Sequence, residues 1–225
     1  LKILNFDIRN YLGFRISNLV LVFVLGISTA VHSLPAKAVS NPIYHHLYSV
    51  NNGESKILTY ELRLTADITY PVEWAANTAA AINLPAGANS YGLAVSEDGS
   101  KLFVAIASPA AIRIYNLTNG IPGSSYTTIS WTPPAGSSLT GIALYGTRLY
   151  AANSGANRVE YFNYSGTAWS YGGHFLDGQA QLFDIAVTSD KIYVSQKANA
   201  GKVFVYTSAT LAAASGSPLT GLKNP

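Results

Sequence analysis

The stretch that decides the fold is YGLAVSEDGSKLFVAIASPAAIRIYNLTNG, residues 91–120. It contains three short apolar runs, Gly92–Val95, Leu102–Ala105 and Ile112–Tyr115, which are separated by more polar segments. The first of these segments holds Asp98-Gly99, a pair that accepts the backbone angles of a tight turn. Runs of this length, rich in β-branched and aromatic residues, predict three consecutive strands.

The same pattern of strands recurs along the chain. Second-strand segments begin at Leu47, Leu102, Leu149 and Ile192, which are 55, 47 and 43 residues apart. A further apolar run begins 10 or 11 residues after each of them, at Ile57, Ile112, Val159 and Val203. Three of these hairpins follow a short strand of small apolar residues, Gly92–Val95, Gly141–Leu144 or Asp184–Val187. Repetition at this period predicts a series of similar structural units.

A fourth, more variable strand is expected after each hairpin, with candidates at Ala80–Leu84, Tyr126–Trp131 and Trp169–Phe175. Four strands per unit with a narrow first strand are typical of a β-propeller blade, because the first strands crowd around a central axis. Ala94, Ala143 and Ala186 occupy matching positions in the first strands, as this crowding requires. The predicted fold is all-β: a partial β-propeller of about four blades, each a four-stranded antiparallel sheet, preceded by a signal-peptide helix.

Residues 91–120 resemble the repeat of YVTN-type seven-bladed propellers. That repeat runs through a Ser-x-Asp-Gly turn, a Lys-Leu-Tyr-Val-Ala strand and a Val-x-Val-Tyr-Asn strand. Residues 139–166 resemble it through their middle, and residues 182–207 and 47–62 resemble it more loosely. Because exported lactonase-like and NHL-like propellers share such repeats, the resemblance implies the propeller fold and leaves the function open.

The charge balance excludes one class of partner. The chain has 225 residues, no Cys and a formal net charge of +3, but the excess lies in the first 38 residues. Residues 39–225 carry 10 basic and 10 acidic groups. A neutral body offers no basic stripe for a phosphate backbone, so no nucleic-acid partner is expected. Without Cys, packing alone has to hold the fold.

Residues 1–38 have the three parts of a secretory signal peptide: a basic start, the apolar run Leu19–Val31, and small residues ending in Ala36-Lys37-Ala38. We expect cleavage after Ala38 and a secreted, periplasmic or cell-surface location. The apolar run is shorter than the roughly 20 residues that span a bilayer, so no stable membrane span is expected after cleavage. The alternative is an uncleaved anchor over Ile16–Leu34.

The repeat units are predicted at about 44–79, 80–131, 132–175 and 176–225. The first unit is expected to lack its first strand, because only residues 39–46 precede Leu47 after the predicted cleavage. Residues 217–225 correspond to the connection that comes before a first strand. We therefore expect the chain to be truncated at its C-terminus and to form part of a six- or seven-bladed ring; the alternative is a complete four-bladed ring.

Asp184 is the candidate ligand-binding residue. It stands where the other units have Gly92 and Gly141, at the start of a first strand and facing the mouth of the channel. A carboxylate there could bind a ligand, a cation or a sugar hydroxyl; the alternative is a solvated carboxylate that caps its own turn. No catalytic residue is identified.

The four histidines do not predict a metal site. His45 and His46 are adjacent, so they point to opposite sides of an extended chain, and His174 stands alone. No metal and no other cofactor is predicted.

Polar loops between the second and third strands supply the candidate partner contacts, at Asn51, Asn52, Asn153, Asn157, Arg158 and Gln196. Because these loops lie at one end of every blade, they predict a ring of related surfaces. The main hypothesis is an exported, non-catalytic scaffold that binds a protein, glycan or surface partner. Two alternatives are a propeller enzyme of lactonase-like hydrolase or lyase type with its active site at the channel mouth, and a structural cell-surface repeat protein.

Overall fold

Antiparallel strands form all the regular structure of the described residues. The structure is a computed structural model that describes residues 22–23, 44–51, 54–63, 73–198 and 201–222. Across these ranges it has four sheets of four strands and no helix. The prediction of an all-β chain of four four-stranded blades is confirmed. The predicted signal-peptide helix falls on residues that are not described, apart from Val22 and Phe23, which form a strand.

Each sheet is one blade, with its strands in chain order from one edge to the other. Blade 1 contains β1 (Val22–Phe23), β2 (Tyr44–Asn51), β3 (Lys56–Arg63) and β4 (Glu73–Asn83). Blade 2 contains β5 (Ser90–Val95), β6 (Lys101–Ile106), β7 (Ala111–Thr118) and β8 (Ile121–Thr128). Blade 3 contains β9 (Leu139–Tyr145), β10 (Arg148–Asn153), β11 (Arg158–Tyr164) and β12 (Trp169–Phe175). Blade 4 contains β13 (Leu182–Val187), β14 (Lys191–Gln196), β15 (Gly201–Thr207) and β16 (Leu219–Leu222).

Three outer strands differ from the prediction. Strand β8 begins at Ile121, five residues before the predicted start at Tyr126, because Asn119 and Gly120 have positive φ angles of 51° and 75° and form a two-residue turn directly after β7. Residues 219–222 were predicted to be a connection, but they pair with β15 and complete blade 4. Strand β4 also continues to Asn83, past residue 79, where the first repeat was predicted to end.

Blade 1 has a first strand, although the sequence predicted that it lacks one. Val22 pairs with Tyr48 and Phe23 pairs with Leu47, so β1 lies at the edge of β2. An uncovered edge would leave backbone N–H and C=O groups of β2 without partners. The backbone of β1 covers this edge beside Leu47 and Tyr48.

The first strands of successive blades lie side by side, with β1 and β5, β5 and β9, and β9 and β13 in contact. Each of them is the edge strand of its sheet, and the other strands follow it outwards in chain order. They are therefore the inner strands of a propeller. Ala94 and Ala143, at the predicted crowded positions, are buried, whereas Ala186 on blade 4 is exposed. The small residues thus lie where two described blades meet.

Blades 2 and 3 pack against neighbours through both faces. On β6, Leu102 and Val104 belong to the apolar core shared with blade 1, whereas Phe103 and Ala105 belong to the core shared with blade 3. This alternation follows from the two-residue period of a strand. A third core, containing Tyr150 from blade 3, joins blades 3 and 4. Hydrophobic packing between blades therefore holds this part of the chain, in the absence of disulfides.

Glycine permits the closest contacts between inner strands. A Cβ atom added to Gly92 would lie 2.8 Å from the backbone nitrogen of Ile142. A Cβ added to Gly141 would lie 2.6 Å from the Cα of Asp184. Both distances are shorter than van der Waals contact, and the opposing atoms belong to backbone that cannot turn aside. The spacing of blades 2, 3 and 4 therefore depends on these two glycines.

Replacing Gly141 by Ala is expected to destabilise the protein by about 1–3 kcal/mol, because the new methyl group forces the inner strands apart. The matched control is Gly123→Ala on β8, where the added Cβ meets only the Asn116 carbonyl oxygen at an ordinary 3.7 Å. Urea unfolding of the two variants measures the difference. Equal unfolding midpoints would show that the inner strands adjust freely.

Candidate functional site

The beginnings of three inner strands lie together at one end of the propeller axis. Near this end, each strand contains one extra residue relative to its partner strand. Equivalent pairs beyond the irregularity are Leu93 with Val104, Ile142 with Ala151, and Ile185 with Val194. The residues before them, Gly92, Gly141 and Asp184, are therefore structurally equivalent. Asp184 is the one among them with a side chain.

The Asp184 carboxyl lies against the backbone of the neighbouring blade. Its Oδ1 accepts a hydrogen bond from the Ile185 backbone N–H at 2.8 Å and lies 2.7 Å from the place where a Cβ of Gly141 would be. The surrounding protein raises the pKa of this carboxyl above its ordinary value by desolvation, and the hydrogen bond from Ile185 opposes the rise without cancelling it. The residue as a whole is exposed to solvent, so a ligand can reach it.

Neighbouring side chains organise this end of blade 4. The backbone N–H of Asp184 donates a hydrogen bond to Ser195 Oγ at 3.1 Å, which ties β13 to β14. The ammonium group of Lys197 lies 5.3 Å from the centre of the Phe183 ring, within the range of a cation–π contact. A carboxyl group with a raised pKa and a cation on an adjacent loop can together exchange a proton and attract an anionic group.

Most of the predicted loop residues serve the fold through at least one hydrogen bond. Asn51 Oδ1 accepts from the Glu54 backbone N–H at 3.3 Å, and Gln196 Nε2 donates to the Ala180 carbonyl at 2.9 Å. Asn157 has a positive φ of 56°, and its carbonyl accepts from the Gln179 N–H at 3.1 Å. All three side chains are half-buried, and Asn52 lies outside the described residues.

Asn153 is not an exposed contact residue, contrary to the prediction from its loop. It is fully buried. Its Oδ1 accepts from the backbone N–H groups of Ser138 and Ala156, and its Nδ2 donates to Ser137 Oγ and to Glu160 Oε1. An amide can satisfy several backbone groups that have no strand partner. Asn153 therefore holds the loop at residues 154–157 against the connection between blades 2 and 3.

A second polar cluster lies on blade 3 around Glu160, which is fully buried. Glu160 Oε1 accepts from Arg158 Nε at 2.8 Å, and its Oε2 accepts from the Tyr171 hydroxyl, also at 2.8 Å. Burial and the bond to Glu160 raise the pKa of Tyr171 to about 12, so its hydroxyl remains a donor at neutral pH.

His174 belongs to the same cluster and does not stand alone, contrary to the prediction. Its Nδ1 lies 3.3 Å from the Tyr171 hydroxyl, and its Nε2 lies 3.5 Å from Asp177 Oδ1. The cluster escaped the sequence analysis because it depends on cross-strand pairing. One signal was present: the repeat position of Glu160 is filled by Leu58, Arg113 and Phe204 in the other blades, so an acidic residue there stands out.

Across the described ranges, His, Asp and Glu side chains form no group of three that could hold a metal ion. No helix in those ranges has the length and apolarity needed to cross a membrane.

Comparison with known proteins finds relatives by structure but not by sequence. No protein-family model and no curated protein sequence matches the chain. The "putative 6-phosphogluconolactonase" of Bacteroides fragilis matches with a TM-score of 0.62 and 18% identity over 80% of this chain and 52% of its own. The periplasmic gluconolactonase of Pseudomonas aeruginosa matches with a TM-score of 0.58 and 15% identity over 80% of this chain and 52% of its own. A chain of a nidogen/laminin complex matches with a TM-score of 0.56 and 19% identity over 80% of this chain and 64% of its own.

At these identities the likeness establishes the fold: this chain has the architecture of a β-propeller. It spans about half the length of the two lactonase structures.

Replacing Asp184 by Asn is expected to stabilise the fold at neutral pH. Because the folded-state pKa of Asp184 is raised, its ionisation destabilises the folded chain, and a neutral amide avoids this while keeping an acceptor for Ile185. The gain in Tm should be on the order of 1–3 °C at neutral pH and should vanish below about pH 4, where the wild-type carboxyl is protonated in both states. Thermal unfolding across the pH range measures it.

Asp98→Asn is the control of opposite sign. Hydrogen bonds from the Ser96 hydroxyl and from Ser100 lower the pKa of Asp98 to about 2. Its ionised form therefore stabilises the fold above its unfolded-state pKa, near 4, and this contribution is lost as the pH falls through about 2. Asn at this position should lower Tm slightly at neutral pH, with the difference closing in acid. An Asp184→Asn variant that behaves like Asp98→Asn would contradict the raised pKa of Asp184.

Proposed function

We propose that this chain forms part of an exported, YVTN-type β-propeller that hydrolyses a sugar lactone at the mouth of its channel. The observation that carries the proposal is the solvent-accessible Asp184 carboxyl, held against Gly141 and with a raised pKa, at an inner-strand position that is Gly in blades 2 and 3. Two structural neighbours, a "putative 6-phosphogluconolactonase" and a periplasmic gluconolactonase, support the substrate class.

In this proposal Asp184 is the general base. Its carboxylate takes a proton from a water molecule, and the water oxygen forms a bond to the lactone carbonyl carbon. The ring C–O bond then breaks, and the proton passes to the departing alkoxide, so that the products are a carboxylic acid and an alcohol in one chain. A base whose pKa is raised towards the working pH transfers protons more effectively than an ordinary carboxylate.

Lys197 has a supporting role in the proposal. Its ammonium group lies on the loop after β14 and beside the ring of Phe183, the residue that precedes Asp184. A cation there would attract the carboxylate of the product or a phosphate group on the substrate. The chain spans about half of each lactonase structure that it matches. The activity of the whole protein is therefore itself part of this proposal.

Hydrolysis of glucono-δ-lactone, followed by acid release in a pH-stat, tests the proposal. The wild-type chain should release acid faster than buffer alone, and Asp184→Asn should reduce the enzymatic rate by about 10²-fold or more, because a general base contributes that much. With 6-phosphoglucono-δ-lactone as the substrate, Lys197→Gln should raise KM more than it lowers kcat, because the phosphate group would lose a nearby cation. No rate above buffer, or an unchanged rate in Asp184→Asn, would overturn the proposed activity.

We also propose a second candidate, a scaffold that binds a protein or glycan partner through its blade-end loops. The observation that favours it is the buried Asn153, which bonds to Ala156 of the loop at 154–157 and to Ser137 and Ser138 of the connection before blade 3, and so ties the loop to that connection. A loop fixed in this way loses little conformational entropy on binding. The Asp184 carboxyl distinguishes the two candidates. Lactone hydrolysis requires it, whereas binding through these loops should not depend on it.

A further inference from the structure

We propose that the outer part of blade 3 carries a binding site for a neutral oligosaccharide, formed by Trp131, Tyr171, Arg158, His174 and Asp177 around the buried Glu160. The site gives the scaffold proposal a specific location and ligand class, and it is separate from lactone hydrolysis at the channel mouth.

Three aromatic rings form the apolar part of this site. Trp131, on the connection from blade 2, lies nearly parallel to Tyr171, with ring centres 6.1 Å apart and an angle of 26° between the planes. Both rings meet Phe162 edge to face, at 5.4 Å and 5.7 Å. Phe162 is fully buried, Trp131 is half-buried and Tyr171 is 38% exposed, so the group extends from the core to the surface. An exposed aromatic face of this kind can pack against the C–H groups of a pyranose ring.

Hydrogen-bonding groups surround the rings. Only the Nε of Arg158 has a protein partner among the described residues, which leaves its terminal N–H groups as donors. The side chains of His174 and Asp177 are 40% and 65% exposed and lie within 3.5 Å of each other. Donors and acceptors beside an aromatic face are what a ring bearing several hydroxyl groups requires.

The charge of the site favours a neutral ligand. Arg158 and Glu160 form an ion pair whose opposite charges offset each other. Asp177 adds a carboxylate at the rim, so the site has no surplus positive charge to attract phosphate or sulfate. A neutral sugar therefore fits this surface better than an anionic ligand.

The repeat does not require a charged residue at the centre of this site. Leu58 in blade 1 and Phe204 in blade 4 occupy the position of Glu160, and blade 2 has the oppositely charged Arg113 there. Burying a carboxylate removes it from water, and an apolar side chain of similar volume often serves stability as well or better. Glu160 instead orients Arg158 and Tyr171, through two hydrogen bonds of 2.8 Å. These bonds hold a hydrogen-bond donor and an aromatic ring in place before a ligand binds, which reduces the entropy lost on binding. The packing of the blade does not by itself require this arrangement.

Isothermal titration of the chain with cellohexaose, xylohexaose and chitohexaose tests the proposal. At least one should bind saturably. Tyr171→Ala should weaken that binding about tenfold by removing the exposed ring, and His174→Ala should weaken it about threefold by removing one hydrogen bond. His174 is largely exposed, so this variant remains informative if Tyr171→Ala fails to fold.

Tyr126→Ala is the matched control. Tyr126 occupies the position of Tyr171 in blade 2, but it lies under the guanidinium of Arg113 at 4.1 Å and has no buried acid beside it. Tyr126→Ala and Asp184→Asn should both bind the oligosaccharide as the wild type does. Failure of all three sugars to bind up to their solubility limits would overturn the proposal, as would wild-type affinity in a folded His174→Ala variant. A loss of affinity in Asp184→Asn would overturn the assignment to blade 3 and place the sugar at the channel mouth.

Discussion

Backbone contact between neighbouring inner strands is the constraint on which the rest of this structure depends. At Gly92 and Gly141 the strands approach so closely that a single methyl group would meet backbone atoms of the next blade at 2.8 Å or less. A bond from Thr140 Oγ1 to the Leu182 carbonyl, 3.0 Å long, spans the same boundary between blades 3 and 4. Once the axis is this tight, the sheets can only diverge outwards. The larger side chains of the second and third strands then fill the widening space between blades, because unfilled volume forfeits dispersion contacts.

The candidate sites occur where side chains depart from the pattern that this packing imposes. A propeller repeats one geometry with different residues, so a departure in a single blade is a local change on an unchanged backbone. Asp184 stands where blades 2 and 3 have a glycine at the axis, and Glu160 is the one acid at a third-strand position that holds Leu58, Arg113 or Phe204 in the other described blades. The packing of the blades does not require an ionisable group at either position. Natural proteins tolerate such local conflicts chiefly where function requires them.

Strand positions could be predicted from the sequence, because the alternation of aliphatic and aromatic residues repeats at a nearly constant offset and each copy supports the others. The outer strands were less predictable. Strand β8 depends on the short turn at Asn119-Gly120, and β16 has no apolar run of its own and forms by pairing with β15. The candidate sites were least predictable. Asn153 looks like an exposed loop residue, yet the connection before blade 3 covers it, and the partners of Glu160 come together only through cross-strand pairing. Contacts of that kind depend on tertiary packing, which local composition does not encode.

The place of the Asp184 carboxyl also depends on what blade 3 lacks. Its Oδ1 lies 2.7 Å from the point where a Cβ of Gly141 would be, so a side chain at 141 and the present position of this carboxyl exclude each other. The two positions are sterically coupled across the boundary between blades. The glycine of one blade thereby provides the space that the acid of the next blade uses.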